Sequence, residues 1–202
     1  MPDFTREPGF AGPVAGVDEA GRGPWAGPVL AAAVILNPAD IPEGLNDSKA
    51  LNARRRAALF EAIQASALAV GVGEASVAEI DAAGLGQANR RAMQRAVAAL
   101  GLPPVHALID GIVTPELPCP ATAIVKGDAQ CLSIAAASII AKVTRDRIMC
   151  ALDAEHPAYG WRENMGYGTS AHAAALQKHG PCLHHRLTFR PVAAAARAFA
   201  SR

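Results

Sequence analysis

Residues 131–141 read Cys-Leu-Ser-Ile-Ala-Ala-Ala-Ser-Ile-Ile-Ala, and no Gly or Pro interrupts the chain from there to His156. The spacing predicts a helix from about Gln130 to Leu152 whose first half is apolar almost all round. A helix without a polar face has to be enclosed by other elements, so this one is expected at the centre of the fold. The apolar part is bounded by Asp128 and Lys142 and is too short to span a bilayer. The covering layers must therefore come from the rest of the chain.

They are legible as short strands and amphipathic helices. Val14 to Asp18 and Val29 to Leu36 are apolar, β-branched runs joined across a Gly-Arg-Gly turn, and Leu68 to Ala75 reads as a third strand. Val105 to Asp110 and Thr122 to Val125 are two more, flanked by Pro and Gly. Helices are expected from an Asn52 N-cap to about Ala67, from Ser76 to a stop at Gly84, and from Gly86 to Leu100 with Gly101 behind it. Others start near Ser170 and Pro191, while Pro157 to Thr169 reads as loop. Three early strands, then strands alternating with helices, define an α/β layered domain with a helical C-terminal segment. Residues 1–12, with three of the first thirteen positions Pro, read as a flexible leader, and residues 13–202 as one catalytic domain.

Composition excludes some classes. With 51% hydrophobic and 18% charged residues the chain is no disordered polyampholyte. A net charge of +1 offers no whole-chain reason to bind nucleic acid, but from Lys142 onward nine Lys or Arg face four acids, a local basic excess suited to phosphate. Solvated helix faces produce the same count. Cys119, Cys131, Cys150 and Cys182 contain no C-x-x-C pair, which argues against zinc held by paired cysteines and for isolated thiols in a reducing compartment. Met1 to Phe10 lacks an apolar signal segment, so a cytoplasmic protein with no membrane association is expected.

The chemistry concentrates in Gly16-Val17-Asp18-Glu19-Ala20-Gly21-Arg22-Gly23-Pro24, where an apolar strand ends on two acids and a glycine-framed arginine. Carboxylates at a strand end suit a metal, and glycines let backbone approach a ligand. Consecutive strand residues point to opposite faces, so Asp18 and Glu19 can share a site only if the strand breaks there, or else they are a solvated strand end. Asp110, before Gly111, reads equally as a hairpin turn. Asp128 reads equally as a helix-entry cap. An oxygen-only donor set of this kind points to Mg²⁺ or Mn²⁺.

Together with Asp47-Ser48-Lys49-Ala50-Leu51, Ala88-Asn89-Arg90-Arg91-Ala92-Met93, the run from Ser133 to Asp146, and Gly166-Tyr167-Gly168-Thr169 followed by His172, these segments resemble the ribonuclease HII family over roughly residues 14–190. The resemblance implies a ribonuclease H-like fold with a mixed central sheet flanked by helices. It implies a two-metal endonuclease acting on RNA/DNA hybrid and on duplex DNA containing single ribonucleotides, with Asp18, Glu19, Asp110 and Asp128 as metal-binding catalytic acids, in a chain expected to be monomeric. It assigns Gly21, Arg22 and Gly23 to 2′-hydroxyl recognition and Tyr167 to the ribonucleotide at an RNA-to-DNA junction. Lys49, with Ser48 beside it, would meet a phosphate; Asn89 and Arg90 would touch the backbone; Lys142 and Arg145, one turn apart, would line the groove or simply form a solvated basic face. His172 falls near the site, whereas His184-His185 has no defensible ligand spacing; both are expected at the surface. The rival readings are a ribonuclease HIII-like enzyme, which the complete Gly-Arg-Gly argues against, a junction resolvase of the same superfold, and a noncatalytic hybrid-binding module.

Overall fold

The computed structural model describes residues 2–201. Five strands form one mixed sheet in the order β3-β2-β1-β4-β5: β1 (Val14–Ala20), β2 (Val29–Ile35), β3 (Ala69–Ala75), β4 (His106–Asp110) and β5 (Ala121–Ile124). The β1–β2 and β2–β3 pairs are antiparallel, and the β1–β4 and β4–β5 pairs are parallel. Seven α-helices accompany them among the described residues: α1 (Ala53–Ser66), α2 (Val77–Ala83), α3 (Leu85–Ala98), α4 (Leu132–Glu155), α5 (Trp161–Asn164), α6 (Ser170–His179) and α7 (Arg190–Ala200). None is long and apolar enough to cross a membrane.

The α4 helix is the central one, as its sequence requires. It lies across β1 and β2, where Ala136, Ile139, Ile140 and Val143 pack on Ala32 and Val34. Burying each of its Ile side chains contributes roughly 1.5–3 kcal/mol. Close approach is possible because Gly16 faces the helix: a Cβ there would collide with the Ser133 backbone. On the opposite face α3 lays Ala92, Met93 and Ala96 against Val17, Ala31 and Ile109. Gly73 plays the same part there, since a side chain at that position would strike the Ala92 carbonyl. Helix starts follow local chemistry: the Asn52 side chain caps the Arg55 amide, and Ser76 with Glu79 closes a capping box.

Two expectations are corrected. The first dozen residues are not a loose leader: Asp3 bridges to Cys131, and buried Glu7 accepts from the Ser133 hydroxyl at 2.7 Å and the Ser133 amide at 3.1 Å. Pro and Gly there shape a strap, not a disordered tail, because the buried first turn of α4 needs an acceptor for its free amides. The Pro157 to Thr169 segment also carries α5, too short to show a period in sequence.

Candidate active site

The paired register of β1 and β4 ends with Val17 opposite Ile109, so Asp18 and Asp110 are the next residues on adjacent parallel strands. Their even-numbered positions share the parity of Leu108 and Ala32 on the α4 side, whereas Glu19 has the parity of Val17 on the α3 side. The strand does not break after Asp18, contrary to the condition set by its alternation; β1 pairs with β2 through Ala20 opposite Leu30. Pairing stops on the β4 side instead, and the sheet opens there to both faces. Asp18, Glu19 and Asp110 consequently border one cleft of about 390 Å³, together with Gly21, Arg22, Gly23, Ser48, Lys49, Lys142, Arg145 and Tyr167. A second cleft of about 200 Å³ shares Glu19, Arg22 and Asp110 and adds Asn89 and Arg90 from α3.

Asp110 does not form a hairpin turn, because β4 and β5 are parallel. Its Oδ1 accepts from the Gly127 amide at 2.7 Å, fastening the end of β4 to the turn Gly127–Ala129 that carries Asp128. Nor does Asp128 cap α4, whose N-cap is Cys131 with no side-chain bond. Asp128 is 6% exposed and its Oδ2 lies 3.7 Å from Lys49 Nζ.

Crowding sets the electrostatics. Burial, then Glu19 and Asp110, push the Asp18 carboxyl well above the usual range, against one hydrogen bond from the Glu19 amide at 2.7 Å. Burial also raises Glu19, opposed by Arg22 at 3.4 Å and by the Asn89 amide. Burial, Asp47 and Asp110 raise Asp128. Burial alone would lower Lys49, but Asp47, Asp128, Asp18 and Asp110 outweigh it and hold the ammonium charged. Among the described residues neither Asp18 nor Asp110 has a Lys or Arg within 4.0 Å. Among the described residues no three of these acids bring oxygens within 4.8 Å of one another. Buried and half-buried carboxylates, underneutralised and with no His or Cys among them, fit a hard divalent cation.

The Gly21 to Pro28 loop is shaped by two buried arginines. Arg186, fully buried, donates to the carbonyls of Gly21 (2.6 Å), Arg22 (3.1 Å), Gly27 (2.9 Å) and Pro28 (3.1 Å). Arg145, 1% exposed, donates to Pro28, Ala26 and Met165. Arg145, expected to line the groove with Lys142, does border the cleft, but its guanidinium is spent on those three carbonyls and offers phosphate little. Lys142 borders the same cleft, partly exposed while paired to Asp146 at 2.7 Å. Burial lowers Arg145 to about 10 and Arg186 to about 9, so both stay cationic at neutral pH.

Tyr167 is 47% exposed beside Gly23, where an added Cβ would lie 3.4 Å from its ring. The Gly166 carbonyl accepts from the Trp25 amide at 2.8 Å, and Gly168 lies so close to the Trp25 ring that a Cβ there would collide with it, so this segment is locked to the Gly21 to Pro28 loop. Ser48 is buried, its amide bound to Ser138 Oγ. His172 and His185 are not surface residues: both are buried, with Nε2 atoms 3.0 Å apart, and His172 Nδ1 lies 2.9 Å from the Tyr167 carbonyl. Their aromatic neighbours Tyr159 and Trp161 lie on a separate short element with no periodic relation to the histidines, which hid the cluster. Sequence reasoning also missed Arg186, since nothing local distinguishes an arginine that serves carbonyls from one in solvent.

The ribonuclease HII family model matches residues 15–192. The chain belongs to the ribonuclease HII family. A ribonuclease HII from Jannaschia sp. (strain CCS1) is 56% identical over 194 residues, covering 95% of this chain and 96% of that one. Another, from Magnetococcus marinus, is 60% identical over 180 residues, 88% of this chain and 84% of its own. The crystal structure of ribonuclease H2 from Pyrococcus horikoshii OT3 superposes with a TM-score of 0.79 at 26% identity, over 94% of this chain and all of that one. This member is thus a ribonuclease H hydrolase on a ribonuclease H-like fold.

Proposed function

We propose that the chain is a divalent-metal-dependent endonuclease that hydrolyses the RNA strand of RNA/DNA hybrids and cuts 5′ to single ribonucleotides in duplex DNA. The observation that carries this reading is the meeting of Asp18, Glu19 and Asp110 at the opened end of the sheet, in the cleft that also contains Gly21–Gly23 and Tyr167. Asp18, Glu19, Asp110 and Asp128 would hold Mg²⁺ or Mn²⁺, which when bound supplies activation of the attacking water and charge stabilisation at phosphorus.

The protein groups do the rest. Water adds to the phosphorus on the 5′ side of the ribonucleotide, the bond from phosphorus to the upstream O3′ breaks, and the products carry a 3′-hydroxyl and a 5′-phosphate. The 2′-hydroxyl is recognised and takes no part as nucleophile; it is the group that separates RNA from DNA. Arg186 holds the Gly21 and Arg22 carbonyls inward, which leaves the backbone of Gly21–Gly23 ordered along the cleft. The exposed Tyr167 ring offers a face for the ribonucleotide, and Lys49 and Lys142 offer charge to phosphates.

The test is cleavage of a duplex with one embedded ribonucleotide beside an all-DNA duplex, in Mg²⁺, Mn²⁺ and EDTA. A single metal-dependent cut 5′ to the ribonucleotide is expected. Equal cleavage in EDTA overturns the metal assignment, cleavage of long hybrids only overturns the junction roles of Gly21–Gly23 and Tyr167, and no cleavage with either metal leaves a binding module.

A further inference from the structure

We propose that Glu155, His156 and His184 form a second metal site, for a borderline transition ion with Zn²⁺ foremost, that clips the end of α4 to the loop ahead of α7. One ligand atom from each of the three lies within 4.8 Å of the others, the one such trio among the described residues. Two imidazole nitrogens and a carboxylate oxygen select zinc-like ions over Mg²⁺, which prefers oxygen alone, and three protein ligands leave a fourth position to water.

Both imidazoles are positioned by the fold. His156 is the C-cap residue of α4, its amide bonded to the Leu152 carbonyl, and its ring meets the edges of Trp161 at 5.9 Å and His184 at 5.2 Å. The His184 carbonyl accepts from the Gly27 amide at 2.9 Å, and the turn that presents it is closed by the Cys182 amide bonding to His185 Nδ1 at 3.0 Å. Among the described residues neither His156 nor His184 spends a ring nitrogen on a hydrogen bond to the protein. None of the three residues lines the carboxylate cleft.

The clip has a structural target. His184 stands two residues before Arg186, the guanidinium that gathers the Gly21, Arg22, Gly27 and Pro28 carbonyls. An ion shared with the end of α4 would restrain the loop that delivers Arg186, stabilising the folded chain by mass action.

The experiment is a Zn²⁺ titration by calorimetry in excess Mg²⁺, which saturates oxygen-only sites, on wild type, His184→Ala and Glu155→Gln, with melting curves with and without Zn²⁺. One Zn²⁺ per chain is expected, weakened at least about tenfold in each variant, with a Zn²⁺-induced rise in Tm of a few degrees that both variants lose. Co²⁺ in place of Zn²⁺ should give a visible absorption band that His184→Ala abolishes. Exposed Glu155 can be changed without disturbing packing, so its variant decides the matter if His184→Ala folds poorly. Zn²⁺ binding and Tm shifts equal in wild type and variants, or no binding in wild type, overturn the site.

Discussion

Arg186 Nη2 donates to the Gly21 carbonyl at 2.6 Å, joining two residues 165 positions apart. Arg186→Lys keeps the charge but loses the fork, leaving several of the four carbonyls bare at about 1–3 kcal/mol each. The expected outcome is a lower Tm and, at a temperature where circular dichroism shows the variant folded, a fall of about tenfold or more in kcat/KM on a single-ribonucleotide duplex. Unchanged kcat/KM would mean that order in this loop is irrelevant to cleavage.

Asp18 sits where its charge is unwelcome, so function and stability should part at this position. Asp18→Asn is expected to abolish cleavage while raising Tm by a few degrees in EDTA at neutral pH. The sign follows from linkage: a carboxyl raised in the folded state binds its proton more tightly there than in the unfolded chain. Its ionisation therefore costs stability as pH climbs from 3.8 through the elevated folded value. The Tm gap between variant and wild type should shrink as pH falls toward 3.8. A gap that widens on acidification would contradict the burial argument.

Because Tyr167 is 47% exposed, removing its ring should cost little stability. Stacking on a nucleotide is worth about 1–3 kcal/mol. Tyr167→Ala should then lose roughly 10- to 100-fold in kcat/KM at single ribonucleotides and less on long hybrids. An equal loss on both substrates would point to a disturbed loop, not a lost contact.

The buried imidazole pair makes the fold acid-sensitive. His185 is lowered to about 3 by burial and by His172, and burial also lowers His172. Unfolded histidines take up protons near 6.5, so the stability this pair contributes is complete above that pH and is lost as pH falls toward about 3. Melting curves should show this decline in wild type and a shallower one in His185→Asn. Parallel curves would remove the pair as the cause.

The fold was legible wherever an element's reason is local. The Asn52 and Ser76 caps, the stop at Gly84 and the all-round apolar start of α4 each act within a few residues and could be read directly. The convergence of Asp18, Glu19 and Asp110 on one cleft was readable because strand ends and glycines mark them. What escaped depends on tertiary folding: Glu7 reaching Ser133, Arg145 turning to Ala26 and Pro28, and His172 meeting His185 across a turn with no regular spacing. A charged side chain looks the same in sequence whether it faces phosphate or a row of buried carbonyls.

The long span between Gly21 and Arg186 also sets an order of events during synthesis. A nascent chain extended only as far as Tyr167 already contains Asp18, Glu19, Asp110 and Asp128, yet lacks the guanidinium that gathers the Gly21 and Arg22 carbonyls. Contacts this remote form late and slowly. The cutting edge of the molecule is therefore completed late, by a residue made 165 positions after the loop it fastens, and a chain interrupted between the two would have the acids without the means to aim them.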